Sequence, residues 1–93
     1  MRVIQTNSFR KSVKRLSKVH KKELDNAVRI IIKNPEFCAS KAGDLAGIRV
    51  YKFKINKQIL LLAYSFDNDT ITLTLLALGS HENFYRDLKR TEL

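Results

Sequence analysis

The stretch from Ile48 to Tyr85 leaves this chain few choices of fold. Three runs follow one another there, roughly Arg49 to Ile55, Gln58 to Phe66 and Thr70 to Leu78, separated by Asn56-Lys57 and Asn68-Asp69. Asn and Asp accept positive φ more readily than most residues, so each pair suits a two-residue hairpin turn. The three runs therefore read as an antiparallel meander. Strand side chains alternate between faces, and a slip of one residue would exchange the faces. With two-residue turns throughout, Tyr51, Phe53, Ile55, Leu60, Leu62, Tyr64, Phe66, Ile71, Leu73, Leu75 and Ala77 share one face. That face is the expected core. The other collects Lys52, Lys54, Ala63, Ser65, Thr70, Thr72 and Thr74, together with Ile59, Leu61, Leu76 and Leu78. Its apolar members need a cover, either a C-terminal helix or a partner protein. In this register Lys54 lies across from Ile59, and Ile59 across from Leu78. A row that starts at Lys54 then ends beside Gly79-Ser80-His81. Two strand spacings are about 10 Å, a gap that a lysine and a histidine can close around a phosphate.

The first half reads as helical. Arg2-Val3-Ile4-Gln5-Thr6 suits a short strand, and Asn7 or Ser8 then offers a side-chain oxygen to cap a helix. Phe9, Val13 and Leu16 recur at helical spacing, with Arg10, Lys11, Lys14, Arg15 and Lys18 on the remaining faces. A break near Ser17 to His20 leads into a second helix that would bury Leu24, Ala27, Val28, Ile31 and Ile32. It stops at Asn34-Pro35, because the residue before proline is pushed out of the helical region. Two consecutive amphipathic helices on a short turn predict an antiparallel helical hairpin. Glu36 to Gly47 reads as a connecting loop punctuated by Gly43 and Gly47, and Ser80 to Arg90 as a last short helix capped by Ser80. The expected fold class is α+β: an N-terminal strand, a helical hairpin, a three-stranded antiparallel meander and a short C-terminal helix. One domain spans residues 1–93, since a chain of this length buries only about two-thirds of its unfolded surface and builds one core.

Charge narrows the partners. The formal net charge is +9, an excess that attracts polyanions by steering and by counterion release. Nucleic acid leads, an acidic protein comes second, and a solvated surface is the plain alternative. No membrane association is expected, because no long helix joins a basic face to a broad apolar one. The Met1 end lacks an apolar h-region and the longest apolar run, Ile59 to Tyr64, is too short to span a bilayer. The single cysteine, Cys38, permits no internal disulfide and no cysteine-based zinc site. It lacks a basic or histidine neighbour in sequence and is given no role. A cytoplasmic protein without metal or cofactor is expected.

At Tyr51-Lys52-Phe53-Lys54-Ile55 and Gly79-Ser80-His81, with Tyr85, the chain resembles the RelE/ParE superfamily of toxins from type II toxin–antitoxin systems. The likeness covers nearly the whole chain, including a loop that ends Leu45-Ala46-Gly47. The first run looks like the lysine-bearing strand of the RelE branch, and the second like the closing glycine–hydroxyl–histidine and aromatic of the YafQ-like branch. The resemblance implies ribosome-dependent cleavage of mRNA without a metal, with the RNA's own 2′-hydroxyl as nucleophile. It makes His81 the general acid or base and has Lys52 and Lys54 hold the phosphate. Tyr85 would stack on a base. It also implies a cognate antitoxin, contributing an acidic amphipathic segment over the open sheet face and its exposed leucines. Operator DNA would be bound only through that antitoxin.

The residue types suit this chemistry. Histidine titrates near neutrality, fixed cations stabilise a phosphorane-like transition state, and aromatic rings stack on unpaired bases. Each has a plainer reading: Lys52 and Lys54 as guards of a greasy strand, His81 as a surface residue, Tyr85 as packing for the last helix. His20, amid lysines, reads as solvated. The basic face of Arg10, Lys11, Lys14, Arg15 and Lys18 is a candidate contact to ribosomal RNA, with a solvated helix as the alternative. Many RelE-type nucleases carry an arginine where this chain has Leu60-Leu61-Leu62, and Arg49 or Arg86 would have to supply that charge. The ParE branch shares the fold but poisons DNA gyrase and does not cut RNA, so it stands as the second reading.

Overall fold

The computed structural model describes residues 1–80 together with Phe84 and Leu88. The chain runs β1 (Arg2–Gln5), α1 (Asn7–Lys14), α2 (Lys18–Lys33), a 3₁₀ turn at Gly43–Leu45, β2 (Arg49–Ile55), β3 (Gln58–Asp67) and β4 (Thr72–Ser80). The strands form one sheet in the order β1-β4-β3-β2, with β1 parallel to β4 and the rest antiparallel. The expected α+β architecture is present. Of the C-terminal helix expected over Ser80 to Arg90, Ser80 is instead the last residue of β4, Phe84 and Leu88 are helical and buried, and the rest lie outside the described residues.

The start of α1 differs from expectation. Thr6, and neither Asn7 nor Ser8, is the cap: its Oγ1 accepts from the Phe9 amide at 3.1 Å. The same hydroxyl donates to the Leu76 carbonyl at 2.6 Å, so one side chain both opens α1 and ties it to β4. Ser17 caps α2 in the same way, accepting from His20 N. Leu24, Ala27 and Ile31 of α2 are buried and Val28 half-buried, as the spacing predicts, but Ile32 is 38% exposed. It lies in the last turn, one residue round from Ile31 and off the buried stripe.

Two apolar clusters sandwich the sheet. On one face Phe9, Leu24 and Ile31 from the helices meet Ile55, Leu60, Leu62, Tyr64, Leu73, Leu75 and Leu78. On the other, Leu61, Ala63 and Leu76 are closed over by Leu45 and Ile48 of the loop and by Phe84 and Leu88. The leucines expected to be exposed on the open face are therefore covered, with Leu61 at 0% and Leu76 at 6%.

The β2–β3 register is as expected, with Lys54 paired to Ile59 across a two-residue turn whose Asn56 has φ 55°. The β3–β4 register is not. Asp67 Oδ1 accepts from the Asp69 and Thr70 amides, and the turn runs on through Ile71 before Asp67 pairs with Thr72. Ile71, expected in the core, is 48% exposed. A second shift falls between Ala63 and Tyr64, which pair with Ala77 and Leu75 and leave Leu76 as the extra residue of a β-bulge. Leu78 accordingly turns to the helix side, and Ala77 packs against the opposite cluster. Leu78 pairs with Leu62, not Ile59.

Between β1 and the helices runs a groove of about 320 Å³ lined by Val3, Gln5, Phe9, Val13, Leu24, Asp25, Val28, Arg29 and Leu75. β1 forms one rim and is exposed along its whole length.

Candidate active site

Lys52 and Lys54 come from the edge strand β2, where alternation puts both on the face away from the helices and leaves both exposed. Their near neighbours inward are Leu61 and Ile59, and a shallow cleft of about 260 Å³ is lined by Lys52, Phe53, Lys54 and Ile59. Leu61 pairs in turn with Gly79 and Leu60 with Ser80. The row of Lys52 thus crosses the sheet to Gly79. In this register it is Lys52, and not Lys54, whose row ends at Gly79; the expected meeting of a lysine with His81 falls outside the described residues. Ser80 is exposed at the strand end. His81, Tyr85 and Arg86 lie outside the described residues.

Gly79 has a steric reason to be glycine. A Cβ there would stand 3.1 Å from the Phe84 ring, which packs on the strand end. The Phe84 ring packs there in the cluster that holds Leu61 and, at its margin, Ile59.

Arg49 is placed elsewhere. It shares the parity of Tyr51 and Phe53, so it belongs to the opposite face from Lys52 and Lys54. Its guanidinium donates to the carbonyls of Glu36 (3.2 Å) and Cys38. It pins the loop that follows α2 and does not supply a charge beside Leu60-Leu61-Leu62, all three of which are buried. Tyr64 holds the same loop: its fully buried hydroxyl donates to Pro35 O at 2.9 Å. Burial pushes this phenol well above its usual pKa and the adjacent Cys38 adds to the shift, so the group remains a donor at any physiological pH. Alternation along β2 and a tyrosine directly after the aliphatic run Ile59 to Ala63 were the available signals for this pair of anchors.

Arg10, Lys11, Lys14, Arg15 and Lys18 are all exposed. α1 packs on β4 from the helix side of the sheet, whereas the lysine cleft opens on the other side at β2. Among the described residues these are two separate basic surfaces. Among the described residues no set of three or more His, Cys, Asp or Glu gathers as metal ligands, and no helix is long and apolar enough to cross a membrane.

Residues 3–89 match the ParE-like toxins of type II bacterial toxin–antitoxin systems. The chain belongs to that family. This toxin fold is also that of several solved structures. Escherichia coli RelE with two arginines replaced by alanine, in the free state, superposes with a TM-score of 0.75 at 16% identity, covering 99% of this chain and 97% of that one. The same RelE variant in complex with an antitoxin peptide gives 0.68 at 14% identity, over 98% and 94%. The toxin–antitoxin complex RelBE2 from Mycobacterium tuberculosis gives 0.67 at 17% identity, over 86% and 96%. No curated protein matches the sequence. The resemblance read from Tyr51–Ile55 and Gly79–His81 is thus upheld at the level of family and fold.

Proposed function

We propose that this toxin is a metal-independent endoribonuclease that cuts mRNA on the ribosome and is silenced by a cognate antitoxin. The observation that carries the reading is the exposed pair Lys52 and Lys54, set on one face of an edge strand in a row that leads to the end of β4. Two residues along a strand separate them by about 7 Å, a span that two flexible ammonium groups close around one phosphate. In the reaction the RNA 2′-hydroxyl attacks phosphorus and gives its proton to a base. The P–O5′ bond breaks, and O5′ takes a proton from an acid. A 2′,3′-cyclic phosphate and a 5′-hydroxyl remain. His81 is the proposed acid or base, Lys52 and Lys54 bear on the developing negative charge, and Tyr85 stacks on a base. Arg10, Lys11, Lys14, Arg15 and Lys18 face ribosomal RNA from the other side of the domain, and Arg86 is a further candidate contact. The reaction is placed in the cytoplasm, and operator DNA is bound only through the antitoxin.

The test is expression of the wild type and His81→Ala followed by mapping of mRNA ends. Cleavage that vanishes with His81→Ala supports the reading. Growth arrest with intact transcripts overturns it. A second reading has its own support: the family matched is ParE-like and the middle strand carries buried leucines with no arginine. It predicts gyrase poisoning without nuclease activity, and inhibition of supercoiling indifferent to His81→Ala.

A further inference from the structure

The helix-side face of β2 carries rings where its other face carries lysines. Tyr51 and Phe53 stack with centroids 5.8 Å apart and 15° between their planes, and Phe37 closes the row edge-on to Tyr51 at 5.5 Å and 63°. Tyr51 and Phe53 pack only on the margin of the core and stay half-buried, and Phe37 is 44% exposed. β2 is the outer strand, so among the described residues no further strand covers the row. Alternation calls for apolar side chains at positions 51 and 53, but aliphatic ones would suffice for packing. Half-open rings add flat π-faces, on which unpaired bases stack.

Between this row and α2 opens a cleft of about 210 Å³, lined among others by Glu23, Asn26, Ile30, Tyr51, Phe53 and Lys54. Phe53 and Lys54 also line the lysine cleft, so the two clefts meet at these residues. Glu23 and Asn26 are exposed and lie on one face of α2, since residues three apart are neighbours on a helix. A carboxylate only accepts hydrogen bonds, whereas an amide side chain both donates and accepts. That pair matches the edge of a base with an exocyclic amino group: asparagine reads adenine with two bonds, and an acid accepts from the cytosine amine.

We propose that this cleft receives one unpaired nucleobase of the RNA, beside the phosphate held by Lys52 and Lys54, and prefers a base that carries an exocyclic amino group. This rests on the reading of the chain as an endoribonuclease, and the base is a different one from that assigned to Tyr85. Phe53 is the stacking ring, with Tyr51 behind it and Lys54 keeping the backbone in place. Charge selects the occupant. Glu23 in the cleft repels an acidic protein segment, whereas a base turns its amino group to Glu23 and leaves its phosphate with Lys54. The net charge of +9 disfavours a second copy of the chain.

The probe is a short sugar–phosphate strand, 2′-O-methylated so that it cannot be cut, and abasic except for a central unit carrying A, C, U or no base. It is titrated against the full-length toxin. A or C should raise affinity about tenfold over the abasic strand, and U by less. Phe53→Leu keeps an apolar side chain on the core margin and should erase that gain, with affinity for the abasic strand at the wild-type value. Glu23→Gln adds a donor that suits a uracil carbonyl, so it should narrow the gap between C and U. Lys54→Ala should weaken every strand alike and lower the salt slope by about one. If Phe53→Leu does not fold, Glu23→Gln and Asn26→Ala, both on the exposed face of α2, carry the test. Equal affinity of the wild type for all the strands overturns the inference, as do variants that bind like wild type. Cleavage on the ribosome that vanishes with His81→Ala then leaves the nuclease reading standing. An oligoglutamate peptide that binds as tightly and is weakened as much by Phe53→Leu overturns the inference in favour of a protein ligand. A free toxin that is dimeric, and becomes monomeric with Phe53→Leu, overturns it in favour of a self-interface. Absence of binding to any strand overturns it as well, and takes the nuclease reading with it where mRNA on the ribosome also stays intact.

Discussion

Removing Lys52 and Lys54 separates electrostatic catalysis from mere protection of a strand edge. Both ammonium groups stand in solvent, so their effect on a phosphate lies near the weak end of the Coulomb range. A unit charge at 4 Å contributes about 1 kcal/mol in water and about 4 kcal/mol at an effective dielectric of 20. Seating the RNA excludes part of the water, which puts each lysine between those limits at about 1.5 kcal/mol, or roughly tenfold in rate. Lys52→Ala and Lys54→Ala should each lower single-turnover cleavage about tenfold, and the double variant about a hundredfold. Because both side chains are exposed, thermal stability should stay within about 0.5 kcal/mol of wild type. Lys→Arg at either position should recover most of the rate, since it keeps the charge. The assay is cleavage of a defined mRNA on programmed ribosomes with its ends mapped, alongside thermal unfolding of the same preparations. Unchanged cleavage in the double variant would refute the assignment. So would a loss of rate that tracks a loss of stability.

Three further outcomes follow from the packing. Thr6→Val removes the α1 cap and leaves the Leu76 carbonyl without its donor, which should cost about 2 kcal/mol, or roughly 10 °C in Tm, while Thr6→Ser keeps most of it. Tyr64→Phe should lower stability about 1 kcal/mol at neutral pH by stripping Pro35 O of its partner. The folded phenol sits well above the ordinary value of 10.0, so the unfolded chain loses this proton first and wild-type stability should fall as pH rises past 10. That added slope should be absent in Tyr64→Phe when urea midpoints are compared from pH 7 to 11. Gly79→Ala sets a methyl 3.1 Å from the Phe84 ring and should cost about 1 kcal/mol in the same urea assay, with cleavage reduced as the segment after β4 is displaced.

Local chemistry made some elements legible and not others. Asn56-Lys57 closes a tight turn, so the pairing of Lys54 with Ile59 could be counted off the sequence. Asn68-Asp69 looked equivalent, but the Asp67 carboxylate gathers the next amides and lengthens that turn, which no two-residue rule anticipates. The bulge at Leu76 leaves no mark in composition, because a leucine suits either face of a covered sheet. Thr6 was hidden among adjacent capping types: three residues in succession can serve, and the bond to Leu76 O decides between them. Arg49 was misplaced by attention to charge over parity, since its alternation with Tyr51 and Phe53 already put it on the helix side. The lysine pair was readable because alternation and one good turn suffice to place it.

The unpaired Leu76 gives the architecture a means of variation. It follows Leu73 and Leu75, which are anchored in the helix-side core, and precedes Gly79 and Ser80 at the strand tip. Removal of this one residue would turn the tip over while leaving Leu73 and Leu75 in the helix-side core, at the cost of the bond from the Thr6 hydroxyl. A change of one residue in length at the bulge thus decides which strand-end side chain shares the face of Lys52, without rebuilding the helix-side interior.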